Sequence, residues 1–135
     1  IGRALAVAAA ALHFINGEWL IWAGFFLILG NAFPCFHGFR GGKGVANYLG
    51  FTLLVAPWAA MMSCLIWVSI YWIKKTPFIA SLFMAATLSI GHGASFRWAW
   101  PTAAGAVAAL ALILFNHRKN ISQYRRADDA PEPEA

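Results

Sequence analysis

Five apolar runs without any Asp, Glu, Lys or Arg constrain the fold of this sequence more than any other feature. They are Ala4–Gly17, Trp19–Gly38, Val45–Ile73, Thr76–Phe96 and Trp98–Asn116. A hydrocarbon core about 30 Å thick is crossed by about 20 helical residues, so runs of about 18 or more are candidates for membrane-spanning helices. The composition agrees, because 61% of the residues are hydrophobic and 11% are charged, whereas soluble domains are about half apolar and a quarter charged. The sequence therefore predicts an all-α, polytopic integral membrane bundle in contact with the lipid bilayer.

The basic residues predict how the chain is oriented, since Lys and Arg near helix ends favour the cytoplasmic side. If 45–73 crosses once, they divide between the two sides; if it crosses twice, turning near Ala56 and Pro57, all except Arg97 lie on one side. Length leaves both arrangements open, because this run is roughly 43 Å long as a helix, which is long for one crossing and short for two. The charge rule favours two short crossings, about six in all, with both chain ends and the loop 39–44 in the cytoplasm.

Two classes of partner are excluded by the same patterns. The pI of about 9.7 would suit nucleic acid, but the basic residues flank apolar runs and do not form one soluble face, so no nucleic-acid partner is predicted. Cys35 and Cys64 lie in apolar runs without the spacing of a metal or redox site, so no metal is predicted.

The loop FRGGKG, Phe39–Gly44, concentrates glycine and positive charge between two apolar runs. Glycine permits left-handed backbone and lets several N–H groups converge on one anion. Lys43 adds a point charge and Arg40 a forked one, and a helix beginning near Val45 directs its positive end to the same place. The predicted phosphate or acyl-phosphate ligands are Arg40, Gly41, Gly42, Lys43 and Gly44. The alternative is an ordinary tight turn with cytoplasmic charges.

A second polar cluster, Asn116–Asn120, follows the last apolar run on the same predicted side. His117 and Asn120 are three residues apart, so on a continuing helix they share a face. The pair can donate to phosphate oxygens, and His117 can move a proton near neutral pH. The alternative is a basic anchor for anionic lipid headgroups. The acidic, Pro-rich end predicts a disordered cytoplasmic tail at 125–135, which leaves 1–124 as the membrane domain.

Three segments resemble the bacterial acyl-phosphate:glycerol-3-phosphate acyltransferases across essentially the whole chain. GNAFPCFHGFRGGKGVANYLG resembles the long signature of that family, HRKNISQYRRADD its C-terminal motif, and KKTPFIAS a turn between its later helices. The resemblance implies a seven-helix enzyme of the bacterial inner membrane with its active site at the cytoplasmic face. Such an enzyme moves an acyl group from acyl phosphate to the 1-hydroxyl of glycerol 3-phosphate, giving lysophosphatidic acid and phosphate, and needs no cofactor.

The resemblance also implies roles for single residues. Lys43, His117 and Asn120 are the expected catalytic residues, and Asn31 joins the loop 40–44 in binding phosphate. Because an acyl phosphate is already activated, catalysis would consist of positioning the substrates and stabilising the charge that develops on them.

Several positions depart from the family pattern. Asn31 stands where His is usual, Asn47 where Thr is usual, and the later C-terminal motif is altered at Gln123, Ala127 and Asp129. The family's first helix and first cytoplasmic loop have no counterpart in this sequence. We therefore expect an N-terminally incomplete chain that is inactive by itself. The alternative from another class is a non-catalytic degenerate homologue, or a fragment of an anion-binding membrane transporter.

Overall fold

The structure is a computed structural model that describes residues 2–33 and 42–130. All regular structure in these ranges is helical, which confirms the predicted all-α class. A short 3₁₀ turn, Gly17–Trp19, separates the first two of seven α-helices. The α-helices are α1 (Gly2–Phe14), α2 (Leu20–Ala32), α3 (Val45–Val55), α4 (Pro57–Lys74), α5 (Pro77–Ser95), α6 (Trp100–Asn116) and α7 (Arg118–Asp128).

The run 45–73 forms two helices that lie side by side. Ala56, with φ −145° and ψ 74°, interrupts the helix, and Pro57 begins α4, where the missing N–H of proline costs nothing. Leu49 of α3 and Val68 of α4 line one groove, although on a single straight helix they would be about 28 Å apart. The chain therefore turns back at Ala56, where the charge pattern predicted a turn.

The helix ends segregate to the two ends of the bundle. At the end that holds Arg97, the Trp22 indole donates to the Pro101 carbonyl at 3.0 Å and the Thr102 hydroxyl donates to the Glu18 carbonyl at 2.8 Å. The glycine loop and the end of α6 lie together at the opposite end. This arrangement requires consecutive helices of the bundle to run in alternating directions.

Small residues allow the helices to approach closely in the core. A Cβ on Gly91 would collide with the Ala59 side chain, and one on Gly105 with Ile21, so glycine is required at both contacts. His92 is fully buried beside Gly91, and its ring stacks on Phe51 with centroids 5.9 Å apart.

The outer surface of the bundle is strongly apolar. Trp72, Ile73, Val107 and Trp100 are each about 70% exposed, as suits lipid-facing side chains and is rare on soluble monomers. By length and hydropathy, α5 is a candidate membrane span among the described helices. A second arises if α6 and α7 count as one span, although they are bent by 56°. The figure of about six crossings therefore stays a prediction.

The C-terminal boundary differs from the prediction. Helix α7 continues to Asp128, so residues 125–128 are helical and not part of a disordered tail. The arginines at 125 and 126 lie in its last turn, where positive charge interacts favourably with the helix dipole. Residues 131–135 lie outside the described ranges.

Candidate phosphate site

The N-terminus of α3 is fixed by a left-handed glycine. Gly44 has φ +89° and is buried, and a Cβ at this position would lie 2.5 Å from the Ile28 methyl group. The Tyr48 N–H donates to the Gly44 carbonyl at 2.9 Å and closes the first turn. The N–H groups of Val45, Ala46 and Asn47 are therefore left without partners inside the helix.

These three N–H groups belong to residues that line a cavity of about 370 Å³. The cavity combines residues 42–44, the start of α3, and side chains from α2, α5 and the junction between α6 and α7. Its lining residues are Asn31, Gly42, Lys43, Gly44, Val45, Ala46, Asn47, Ser81 and His117. A helix N-terminus, a lysine and neutral polar groups together form an environment that favours a phosphate anion.

Close contacts hold the loop against its neighbours. The Asn31 amide nitrogen lies 3.1 Å from the point that a Cβ on Gly42 would occupy, so glycine leaves room for this amide. The Asn116 amide, at the end of α6, donates a long hydrogen bond of 3.5 Å to the Lys43 carbonyl. Gly42 and Lys43 thus lie between α2 on one side and the end of α6 on the other.

His117 is the buried titratable group of this cavity, with 1% of its surface exposed. Its Nδ1 lies 2.8 Å from the Ile113 carbonyl, and since a carbonyl only accepts, Nδ1 carries the proton. Burial lowers the pKa of His117, the Ile113 hydrogen bond opposes this shift, and the positive charge of Lys43 adds to the lowering. The ring is therefore neutral near pH 7, and Nε2 keeps a lone pair that can accept a proton.

A smaller cavity of about 240 Å³ adjoins the first. Asn31 and Asn47 line both cavities, and Arg3 of α1 borders the smaller one. The two cavities are thus separated by two amide side chains.

Comparison with known proteins identifies the family. The sequence model described as glycerol-3-phosphate acyltransferase matches residues 2–127. The chain belongs to the glycerol-3-phosphate acyltransferase family. This confirms the family that the glycine loop and the C-terminal motif indicated.

Curated relatives and solved structures agree with this assignment. A glycerol-3-phosphate acyltransferase of Jannaschia sp. (strain CCS1) is 39% identical over 109 residues, which cover 79% of this chain and 52% of the relative. One from Aquifex aeolicus (strain VF5) is 37% identical over 106 residues, covering 77% and 54%. The crystal structure of PlsY, an integral membrane glycerol 3-phosphate acyltransferase, in its glycerol 3-phosphate form matches with a TM-score of 0.79 and 29% identity, covering 94% of this chain and 64% of that one. The chain spans about half the length of the curated relatives it matches.

The structure brings together most of the residues that the family motifs singled out. Asn31, Gly42, Lys43, Gly44 and His117 all line the larger cavity. Arg40 and Gly41 lie outside the described residues. The catalytic and binding roles of all these positions stay predictions.

Asn120 is placed differently from the expectation. The helix does not continue straight through His117, because α6 ends at Asn116 and α7 begins at Arg118 after a 56° bend. Asn120 lies in the first turn of α7, half-buried, and is not among the residues that line the cavity.

Ser81 is a cavity residue that the predicted site did not include. Its hydroxyl donates to the Pro77 carbonyl at 2.9 Å and accepts from the Trp67 indole at 3.3 Å. The signal that was available is the segment KKTPFIAS, which resembles a turn of the family and ends at this serine.

Proposed function

We propose that this chain forms the phosphate-binding and acyl-binding parts of a membrane acyltransferase that uses acyl phosphate as donor. The enzyme transfers the acyl group to the 1-hydroxyl of glycerol 3-phosphate and releases lysophosphatidic acid and phosphate. It lies in the bacterial inner membrane with about six crossings in this region and its glycine loop in the cytoplasm. The observation that carries the proposal is the convergence of the α3 N-terminus, Lys43 and His117 on one cavity.

The cavity suits two phosphates that repel each other. The free N–H groups at the start of α3 and the Lys43 ammonium neutralise one phosphate, and Arg3, which borders the smaller cavity, can neutralise a second; Arg40 stays a predicted ligand from its place in the sequence. Asn31 and Asn47 stand between the larger and smaller cavities and can donate to either phosphate. Holding both substrates in reacting geometry supplies much of the rate acceleration that a reaction of an activated donor requires.

His117 is suited to receive the hydroxyl proton. With Nδ1 committed to Ile113, Nε2 accepts a hydrogen bond from the 1-hydroxyl of glycerol 3-phosphate. As the hydroxyl oxygen bonds to the acyl carbon, the bond from that carbon to the phosphate oxygen breaks. The hydroxyl proton passes to Nε2, and the departing phosphate carries away the electron pair beside Lys43.

The acyl chain has a matching groove between α3 and α4. This groove of about 380 Å³ is lined by apolar side chains and the thiol of Cys64, and runs from Leu49 and Val68 toward Met61. Helix α3 contributes to both places, with Asn47 of its first turn lining the phosphate cavity and Leu49 and Leu53 lining the groove. Helix α3 is about 16 Å long, which accommodates much of an extended fatty acyl chain.

The test is lysophosphatidic acid formation from acyl phosphate and labelled glycerol 3-phosphate in membranes that express the gene's full reading frame. Lys43→Ala should lower kcat/KM by roughly 10- to 150-fold, because a hydrogen bond to a charged group contributes about 1.5–3 kcal/mol. Arg97→Ala removes one positive charge at the opposite end of the bundle and should leave activity unchanged. We expect residues 1–135 expressed alone to make no product.

The opposite outcome favours the other class of function. If the folded full-length protein binds glycerol 3-phosphate but makes no product, the chain belongs to a non-catalytic homologue or a transporter. Asn31→His, which restores the residue usual in the family, is then the variant that separates a weakened enzyme from a protein without activity.

A further inference from the structure

Helix α7 turns away from the axis of α6 and leaves most of its side chains exposed. It is bent by 56° from α6, and none of its residues is buried. Its sequence, RKNISQYRRAD, is polar and basic, unlike the apolar helices before it. No residue of α7 lines the phosphate cavity, so the cavity does not account for the basic character of this helix.

Two contacts hold α7 at the edge of the apolar surface. The Arg118 guanidinium donates to the Phe115 carbonyl at 2.9 Å and lies 4.0 Å from the centre of the Phe115 ring, which is 49% exposed. The Tyr124 ring packs edgewise on Phe78 of α5, with centroids 5.6 Å apart. The helix is thus fixed where lipid-facing side chains end and polar side chains begin.

Three arginines of this helix line one concavity on its surface. Positions 118, 122, 125 and 129 follow helical spacing, so their side chains share a face. They line a concavity of about 450 Å³ together with Ile121 and Arg126. Asp129, at the far end, is the acidic member of the lining. Three forked guanidinium groups against one carboxylate leave the face strongly positive.

We propose that this face, Arg118, Ser122, Arg125 and Arg126, binds the phosphate headgroup of an anionic phospholipid in the surrounding bilayer. Guanidinium groups bind phosphate oxygens through paired hydrogen bonds, and basic helices beside a membrane-embedded segment attract anionic lipid. Ile121 on the same face lies next to the headgroup and can contact the start of its acyl chains. The site lies outside the phosphate cavity and does not depend on the proposed transferase activity.

Native mass spectrometry of the purified full-length protein, in an equal mixture of phosphatidylglycerol and phosphatidylcholine, tests this proposal. The wild-type protein should retain phosphatidylglycerol in preference to phosphatidylcholine. R125Q with R126Q should reduce that preference about fivefold or more. The matched control is K74Q with K75Q, which removes the same charge from the exposed α4–α5 turn and should change the preference less, because these lysines do not line the concavity.

Other outcomes would overturn the proposal. An unchanged lipid preference in the arginine variant would show that this face does not bind the lipid. An equal loss of preference in the lysine variant would show that the protein attracts anionic lipid by its general positive charge and not through this face. Displacement of the lipid by millimolar inorganic phosphate would assign the face to free phosphate instead. Ser122→Glu, which places a negative charge in the middle of the face and removes no arginine, should reproduce the loss; full lipid retention in that variant would also contradict the assignment.

Discussion

Gly44→Ala tests whether the left-handed turn before α3 is required by the fold. Gly44 has φ +89°, and a Cβ would approach the Ile28 methyl group to 2.5 Å. A left-handed non-glycine residue costs about 1–2 kcal/mol, and forcing a methyl group into a packed site costs about 1–3 kcal/mol. Alanine has fewer conformations than glycine in the unfolded chain, and this difference offsets about 0.4–1 kcal/mol of the destabilisation. The net destabilisation is therefore about 1–5 kcal/mol.

Thermal unfolding in detergent, followed by near-ultraviolet circular dichroism, measures this effect. At about 3–5 °C per kcal/mol, the Tm should fall by roughly 3–25 °C. Gly30→Ala is the matched control, because a Cβ there would meet nothing within 4 Å and the residue lies in α2. Its Tm should stay the same or rise, since alanine is favoured over glycine in helices by about 1 kcal/mol.

A double-mutant cycle separates the two parts of the cost. Ile28→Ala removes the methyl group that Gly44→Ala would strike, so the double variant should be more stable than the sum of the single changes by about 1–3 kcal/mol. If Gly44→Ala unfolds within a degree of the wild-type protein, the turn does not need its left-handed conformation and the reasoning fails. Additive changes would show that Ile28 is not the obstacle.

Three further predictions follow from the site. Burial, together with Lys43, lowers the pKa of His117 in the folded chain, so its contribution to stability is complete above about pH 6.5 and is lost as the pH falls below that value, where the unfolded chain takes up the proton. The Tm of His117→Gln should therefore fall less steeply than that of the wild-type protein from pH 7 to 5. Parallel Tm curves for the two proteins would contradict this prediction. Cys64→Phe should fill the groove and shift the preference of the enzyme toward acyl phosphates with shorter chains. Met62→Phe, on the same helix but exposed and outside the groove, should leave that preference unchanged. Equal chain-length profiles for the two variants would show that the groove does not bind the acyl chain. Asn31→Ala should weaken glycerol 3-phosphate binding in calorimetry by about 3- to 10-fold, the value of a neutral hydrogen bond, and an unchanged Kd would remove this amide from the site.

Much of the site can be anticipated from local sequence. The glycines at 42 and 44, the lysine between them and the helix start at Val45 are neighbours in the chain, so their joint effect on an anion is visible without tertiary structure. The turn at Ala56 also follows from local chemistry, because Pro57 cannot continue a hydrogen-bonded helix. The bend at His117 was missed, since the sequence there contains neither proline nor glycine.

The sequence by itself determined the helical class and the family and predicted the phosphate-binding loop, because apolar runs and glycine conformations act over a few residues. Only the tertiary structure decided which side chains surround that loop. Asn31 of α2, Ser81 of α5 and His117 between α6 and α7 meet at one cavity, and the groove between α3 and α4 exists because α4 folds back along α3. Such contacts depend on how closely whole helices pack, as at Gly91 and Gly105, and no local pattern in the sequence specifies that distance.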